Sequence, residues 1–263
     1  MDTFLSGPRL RAAAGAALVL LGGCGTAVGN RGNASIGPVP APDIDQLYAM
    51  ALDDAAIFEE RDVLPLNGAE AGSDGTVLVV TLGRDSLPPG EMTTAEGGYV
   101  WVTLVPEVRD SCGGWADADK AMRLRQLLGL QPASPVQYFV EMRVPAAGMF
   151  RPTANPDITT DTLCTPGQGG WECALDFPAG VSGKHVRFMV DQAFSAWKKP
   201  NGYPAAGTGE SPRLGYPWTR LGYTYNWHPG SPRYGASEYV IDPGTRVTVT
   251  SVARIADYCR RRQ

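Results

Sequence analysis

The chain has 263 residues, 43% of them hydrophobic and 19% charged, with a formal net charge of −4. That balance suits a globular protein with a sizeable core and excludes a disordered or fibrous chain. A mildly acidic chain without a basic stripe argues against nucleic acid as a partner.

In chain order, Arg9-Leu10-Arg11 precedes an almost wholly apolar run over 12–21, which ends in Leu21-Gly22-Gly23-Cys24. A positive segment followed by a short apolar one has the layout of an export signal, and the run is too short to span a bilayer as a mature helix. Leu-Gly-Gly-Cys resembles the lipobox of bacterial lipoproteins. The resemblance implies that residues 1–23 are removed and that Cys24 carries a diacylglyceryl group. The bilayer is then the partner through Cys24, and the chain sits on the extracytoplasmic side of the cell membrane. Two acyl chains anchor a protein stably where one holds it only marginally. Residues 24–42, rich in Gly, Ala, Asn and Pro, read as a flexible tether that buries no core.

Four cysteines remain beyond Cys24: Cys112, Cys164, Cys173 and Cys259. An even remainder in an exported chain reads as two disulfides. No Cys-x-x-Cys spacing occurs, so neither a zinc ribbon nor a thioredoxin-like redox site is supported. Cys164 and Cys173 flank a short Gly-rich loop, which favours pairing them and leaves Cys112 with Cys259.

A helix is predicted over 43–61, with Asp43 and Gln46 spaced as a capping box. A strand follows over 76–82, a Pro-Gly-rich loop over 83–97 and a second strand over 99–105. A helix capped by Asp117 or Asp119 runs to Leu128 and stops at Gly129. The strand over 136–144 shows one apolar face and one mixed face that carries Glu141 and Arg143. The strongest helical pattern covers 182–197, with Val186, Met189, Val190, Ala193, Phe194 and Trp197 on its apolar stripe. This places His185 on the surface. An aromatic strand is predicted over 217–227. A hairpin of 237–241 with 246–252 is predicted about Asp242-Pro243-Gly244-Thr245.

These elements give an α+β fold with a mainly antiparallel sheet of about six strands and about three helices, stapled by disulfides. The organisation read from the sequence is a 1–23 signal, a 24–42 tether, a 43–96 helix and strand segment and a 97–263 main domain. The segments 101–112, 124–130, 139–144 and 216–227 resemble exported bacterial proteins of no assigned activity, and the resemblance implies no catalytic residue.

Searching for chemistry mostly excludes it. There is no Gly-x-Ser-x-Gly elbow, no P-loop and no dinucleotide fingerprint. Ser195 and Lys198 match Ser-x-x-Lys, but at the end of a helix and with no Lys-Thr-Gly after it. Two histidines are too few for a His-rich metal site. No cofactor or metal is expected. The leading expectation is a non-catalytic, membrane-tethered binding or envelope-interaction module, monomeric, with an envelope glycan or protein as partner. The candidate site is shallow and uses Trp218, Arg220, Trp227 and His228 at the ends of the aromatic strand, with stacking faces beside polar groups. One alternative is a cell-envelope hydrolase acting on glycan or peptide. It would draw on His228 and two of Glu141, Glu238 and Asp242 at a suitable separation. A structural envelope protein is the other.

Overall fold

The computed structural model describes residues 41–96, 98–163, 176–196 and 215–260. Among the described residues the strands are β1 (Thr76–Gly83), β2 (Gly90–Thr93), β3 (Val100–Leu104), β4 (Tyr138–Pro145), β5 (Met149–Phe150), β6 (Tyr223–Tyr225), β7 (Tyr234–Ser237), β8 (Tyr239–Ile241) and β9 (Arg246–Arg254). The helices are α1 (Ile44–Ala56), α2 (Glu107–Cys112), α3 (Lys120–Leu127), α4 (Gly183–Ala196) and α5 (Ile255–Tyr258). Seven strands form one antiparallel sheet in the order β2-β9-β4-β1-β3-β8-β5, and β6 pairs with β7 separately. The fold is therefore α+β, with more strands than the sequence pattern predicts. β1, from the 43–96 segment, lies at the centre of the sheet, so both predicted segments share one layer. Among the described residues no helix is long and apolar enough to cross a membrane.

Helix α1 begins where expected. Gln46 N–H donates to Asp43 Oδ1 at 2.8 Å, and Asp43 N–H donates back to Gln46 Oε1 at 3.0 Å. That reciprocal pair satisfies two of the amides that a helix start leaves open. Tyr48, Ala51, Leu52 and Ala55 are its buried stripe. Helix α3 ends at Gly129, whose φ of 66° suits the left-handed turn after a helix.

The predicted hairpin does not form. The turn at 242–245 is present, with Thr245 N–H donating to Asp242 O at 3.3 Å. Its flanking strands pair elsewhere, β8 with β3 and β5, and β9 with β2 and β4. Three strands separate β8 from β9 in the sheet order. On a flat sheet that offset is about 19 Å, whereas a tight turn spans less than about 7 Å. The sheet must therefore roll until its edges approach. The same turn ties the edges together: Thr94 N–H donates to Thr245 O at 2.9 Å, after β2, and Asp242 N–H to Gly148 O at 2.9 Å, before β5. Gly148 is required there, because a Cβ would lie 2.5 Å from Thr245 Cγ2.

Strand alternation then gives the sheet an inside and an outside. Val77, Val79, Val102, Val140, Met142 and Tyr239 belong to the inner cluster, with Ile241, Val247 and Val249. On the outer face, Val80 and Phe139 pack with Val108, Leu124 and Tyr258 of the short helices. Phe139 stacks on Tyr258 with centroids 4.1 Å apart. The expected disulfide joins Cys112 at the end of α2 to Cys259 just after α5. The expected Cys164–Cys173 pair, the tether and Cys24 lie outside the described residues.

Helix α4 is turned from the predicted orientation. Its buried residues are His185, Phe188, Met189 and Ala196, while Val190 and Phe194 are exposed. The choice was made by partners. Phe188 meets Tyr99 and Phe150 at 4.6 and 4.8 Å between centroids, which is edge-on aromatic packing. His185, expected on the surface, is buried, and its Nε2 lies 2.7 Å from Thr153 O. That contact makes Nε2 the protonated nitrogen.

The aromatic strand predicted over 217–227 is shorter, leaving only β6. Arg220 (φ 66°) and Gly222 (φ 84°) break the extended backbone ahead of it. Gly222 also lies against the Arg151 side chain, where a Cβ would stand 3.1 Å from Cδ.

Candidate functional site

The outer face of the sheet carries more than helices. Val102, like Tyr239 opposite it, points inward, so Trp101 and Thr103 on β3 point outward. The β3–β8 pairing ends at Val102↔Tyr239, and the N–H of Glu238, just before β8, donates to Gly222 O at 2.9 Å. Over the outer face lies a cavity of about 490 Å³, walled on the sheet side by Val80, Leu82, Trp101 and Phe139. Tyr48 of α1, Leu128, Leu130 and Tyr216 make the other wall.

That second wall is held by hydrogen bonds. Thr224 Oγ–H donates to Leu127 O at 2.7 Å, and Trp227 Nε1–H donates to Leu130 O at 3.1 Å. Trp227 N–H donates to Gln126 O at 3.2 Å. The segment after α3 is thereby fixed to the β6 region, and the cavity does not depend on a loose loop at this point. Trp101 is set among aromatic rings, with Tyr216 and Trp218 at 5.8 and 6.1 Å between centroids.

Two polar atoms in the cavity lining are buried without a hydrogen-bond partner among the described residues: Glu238 Oε2 and Thr103 Oγ1. Glu238 is 8% exposed and Thr103 6%. Burial pushes the Glu238 carboxyl up to about 8; the nearby Trp218 indole and the Arg151 guanidinium pull it down without overcoming burial. Among the described residues no donor, Trp218 Nε1 included, reaches Oε2 in hydrogen-bonding geometry. The acid is therefore neutral at pH 7 and presents an O–H.

The native state keeps this proton up to about pH 8, while the unfolded chain releases it near 4.5. Raising the pH between those values favours the unfolded chain at close to 1.4 kcal/mol per pH unit. Between pH 5 and pH 7 the wild type is expected to lose about 2–3 kcal/mol relative to Glu238→Gln. Urea unfolding of both proteins at several pH values measures the difference, and parallel stability curves would show that Glu238 ionises normally.

Of the residues singled out from the sequence, Trp218 and Arg220 lie near one another, as do the adjacent Trp227 and His228. Trp218 and Trp227 are 3% and 5% exposed. Trp227 packs edge-on against Tyr48 at 5.4 Å, so neither indole offers an open stacking face. Arg220 donates to Ala56 O at 3.2 Å and to Ala55 O at 3.5 Å, capping the end of α1. A cation there suits the partial negative charge of a helix C-terminus. His228 is half-buried, with Nδ1 3.1 Å from Ser231 Oγ. Of the Gly/Pro/Ser loop that the sequence places over 201–216 beside them, residues 201–214 lie outside the described residues, as does Lys198 of the Ser-x-x-Lys match.

The three carboxylates of the hydrolase alternative are dispersed. Glu141 is paired with Arg109, and Asp242 with Lys184 at 2.8 Å; of the three, only Glu238 lines the cavity. Among the described residues no group of three or more His, Cys, Asp or Glu side chains is placed to hold a metal ion.

Neither a family model nor a curated protein nor a solved structure matches this chain.

The site was partly visible in advance. Glu238, just before the apolar Tyr239-Val240-Ile241, was already a candidate carboxylate. Thr103 carries no signal of its own, since threonine is ordinary in strands. The cavity itself depends on how α3 and 215–227 cross the sheet, which periodicity does not encode.

Proposed function

We propose that this chain is a lipid-tethered, extracytoplasmic binding module that takes a small, mainly apolar molecule into the cavity over β1, β3 and β4. The observation that carries the reading is the cavity of about 490 Å³ with Glu238 and Thr103 buried and unpartnered at its floor. Small-molecule sites have this character: roughly 300–1,000 Å³, largely apolar, with a few placed polar groups. The tether is supported by Arg9-Leu10-Arg11, the apolar 12–21 run and Cys24 after Gly22-Gly23. The hydrolase alternative has weaker support, because Glu141 and Asp242 are held by cations away from the cavity.

Binding of an apolar fluorescent dye tests the cavity. One dye per chain is expected to bind wild type, with Leu128→Trp, which fills the space, abolishing the signal. Equal binding by wild type and the filled variant ends the reading. For the tether, Cys24→Ala is expected to move the protein out of the membrane fraction or leave it uncut. Normal processing and retention of that variant would remove the lipid anchor from the proposal.

A further inference from the structure

A second cavity, of about 470 Å³, lies between the 64–67 segment, helix α2 and strand β7, and it shares no lining residue with the one over β1, β3 and β4. We propose that it binds an uncharged sugar ring, with Tyr234 as the stacking face and Asn67, Glu107 and Ser111 as hydrogen-bond partners of the sugar hydroxyls. This assignment does not rest on the first cavity.

The polar side is built and held. Glu107, the first residue of α2, accepts from Asn67 Nδ2 at 2.8 Å and from Ser237 N–H and Oγ–H, each at 2.7 Å. A carboxylate has about four acceptor positions, so one is left for a ligand. Arg151 Nη2 donates to Asn67 O at 2.7 Å, which sets a guanidinium one residue away from the Glu107 charge. Asn67 is exposed, and its second Nδ2–H and its Oδ1 have no hydrogen bond among the described residues. Ser111, also exposed and one turn along α2, donates to Glu107 O at 3.0 Å and keeps its lone pairs. The opposite wall is fixed as well, because Leu66 N–H donates to Asp161 O at 2.7 Å.

The aromatic side depends on an irregularity in the β6–β7 ribbon. Tyr223 pairs with Ser237 and Tyr225 with Tyr234, so the register shifts between the two pairs. On a regular strand, residues three apart face opposite ways. The shift instead brings Tyr234 to the same face as Ser237, which is the side of Glu107. The Tyr234 ring meets Tyr223 edge-on with centroids 6.5 Å apart, and the Tyr223 hydroxyl is anchored to Asp62 O at 2.6 Å. Tyr234 is still 51% exposed, so much of its surface is free to be covered.

The lining selects the ligand. No Lys, Arg or His lines the cavity, and the cations beside it in the chain, Arg109 and Arg233, are held by Glu141 and by Asp54 and Glu59. An anion would therefore meet the Glu107 carboxylate and no cation. A purely aliphatic molecule would cover the open groups of Asn67 and Glu107 without pairing them. A hydroxyl both donates and accepts, which matches acceptors at Glu107 and Ser111 and both kinds of group at Asn67. A pyranose joins several hydroxyls to a C–H face that lies flat on an aromatic ring.

The test is saturation-transfer NMR at pH 6.5 with the full chain in a detergent that carries no sugar. The probes are methyl glucoside, methyl galactoside, methyl mannoside and N-acetylglucosamine, with glucosamine and glucose 6-phosphate as charged counterparts. At least one uncharged probe is expected to bind at millimolar concentration, and more tightly than either charged one. Tyr234→Ala is expected to weaken it by about tenfold, and Tyr234→Trp, which keeps an aromatic face, to hold it. Ser111→Tyr, which fills the mouth, is expected to abolish binding. Both positions are exposed, so each variant is expected to fold, as checked by circular dichroism, and to take the dye into the first cavity as wild type does.

Failure of all four uncharged probes overturns the proposal, as does binding indifferent to Tyr234→Ala and Ser111→Tyr, or tighter binding of a charged counterpart. If the dye binds and no sugar does, this site falls alone. If a sugar binds as described and the dye does not, the first cavity's reading falls alone.

Discussion

Replacing Cys112 and Cys259 by Ala together is expected to lower the stability of the folded chain by about 5 kcal/mol. The two half-cystines are 147 residues apart, and each is fully buried. Loop closure over that length restricts the unfolded chain strongly, which is where the estimate comes from. In the native state the bridge holds α2 against the residues that follow α5. These two helices meet the outer face of the sheet through Val108 and Tyr258. Urea unfolding of oxidised wild type and the double variant measures the effect, and reduction of wild type should produce a similar fall. A loss below about 1 kcal/mol would mean that the unfolded chain is already restricted.

The second large effect belongs to Arg151, which has no signal in the sequence. It follows β5, is fully buried and forms no ion pair with a carboxylate among the described residues. Its Nη2 donates to Asn67 O at 2.7 Å, to Thr160 O at 3.2 Å and to the Tyr239 hydroxyl at 2.7 Å. Its Nη1 donates to Gly222 O at 3.3 Å. The guanidinium lies over the Tyr239 ring, 4.5 Å from its centroid, and Tyr239 Oη–H in turn donates to Asn67 O. One side chain thus joins three irregular segments, around 67, 160 and 222, to β8. Arg151→Met leaves several buried acceptors open, and the expected cost is about 4 kcal/mol. Arg151→Lys should recover little of it, because an ammonium cannot reproduce the planar fork. Thermal or urea unfolding checks both, and a Lys variant as stable as wild type would contradict this account.

Arg151 also shows where sequence reading stops. Elements with a period of their own were legible: α1 with its capping box, β1, β3, β4 and the end of α3 at Gly129. Glu141 and Arg143 on the mixed face of β4 are paired, with Arg109 and Asp74. Short pieces such as β2, β5 and α2 have too few residues to show a period. The 186–197 stripe of α4 was misjudged for a different reason. The helix offers two apolar arcs, and the aromatic partners Tyr99 and Phe150 selected the one with Phe188. The 242–245 turn was legible, but which strands its flanks join is a long-range fact that no local residue carries. The same holds for the site: Glu238 was visible as an acid next to a strand, whereas the cavity it lines with Trp101 and Thr103 depends on how distant segments meet.

The rolled sheet sets an order on how the protein can be made. Strand β9 lies between β2 and β4, although about 100 residues or more separate it from each in sequence. Until residues 246–254 emerge from the ribosome or a translocation channel, β4 keeps one side without a partner. An unpaired central strand is a template for other chains, and pairings this distant form slowly. The chain is therefore most exposed to aggregation late in its synthesis, with β1 and β4 paired and the C-terminal strand still to come. Any species shortened before 246 should remain in that condition, dependent on a holding chaperone for its solubility.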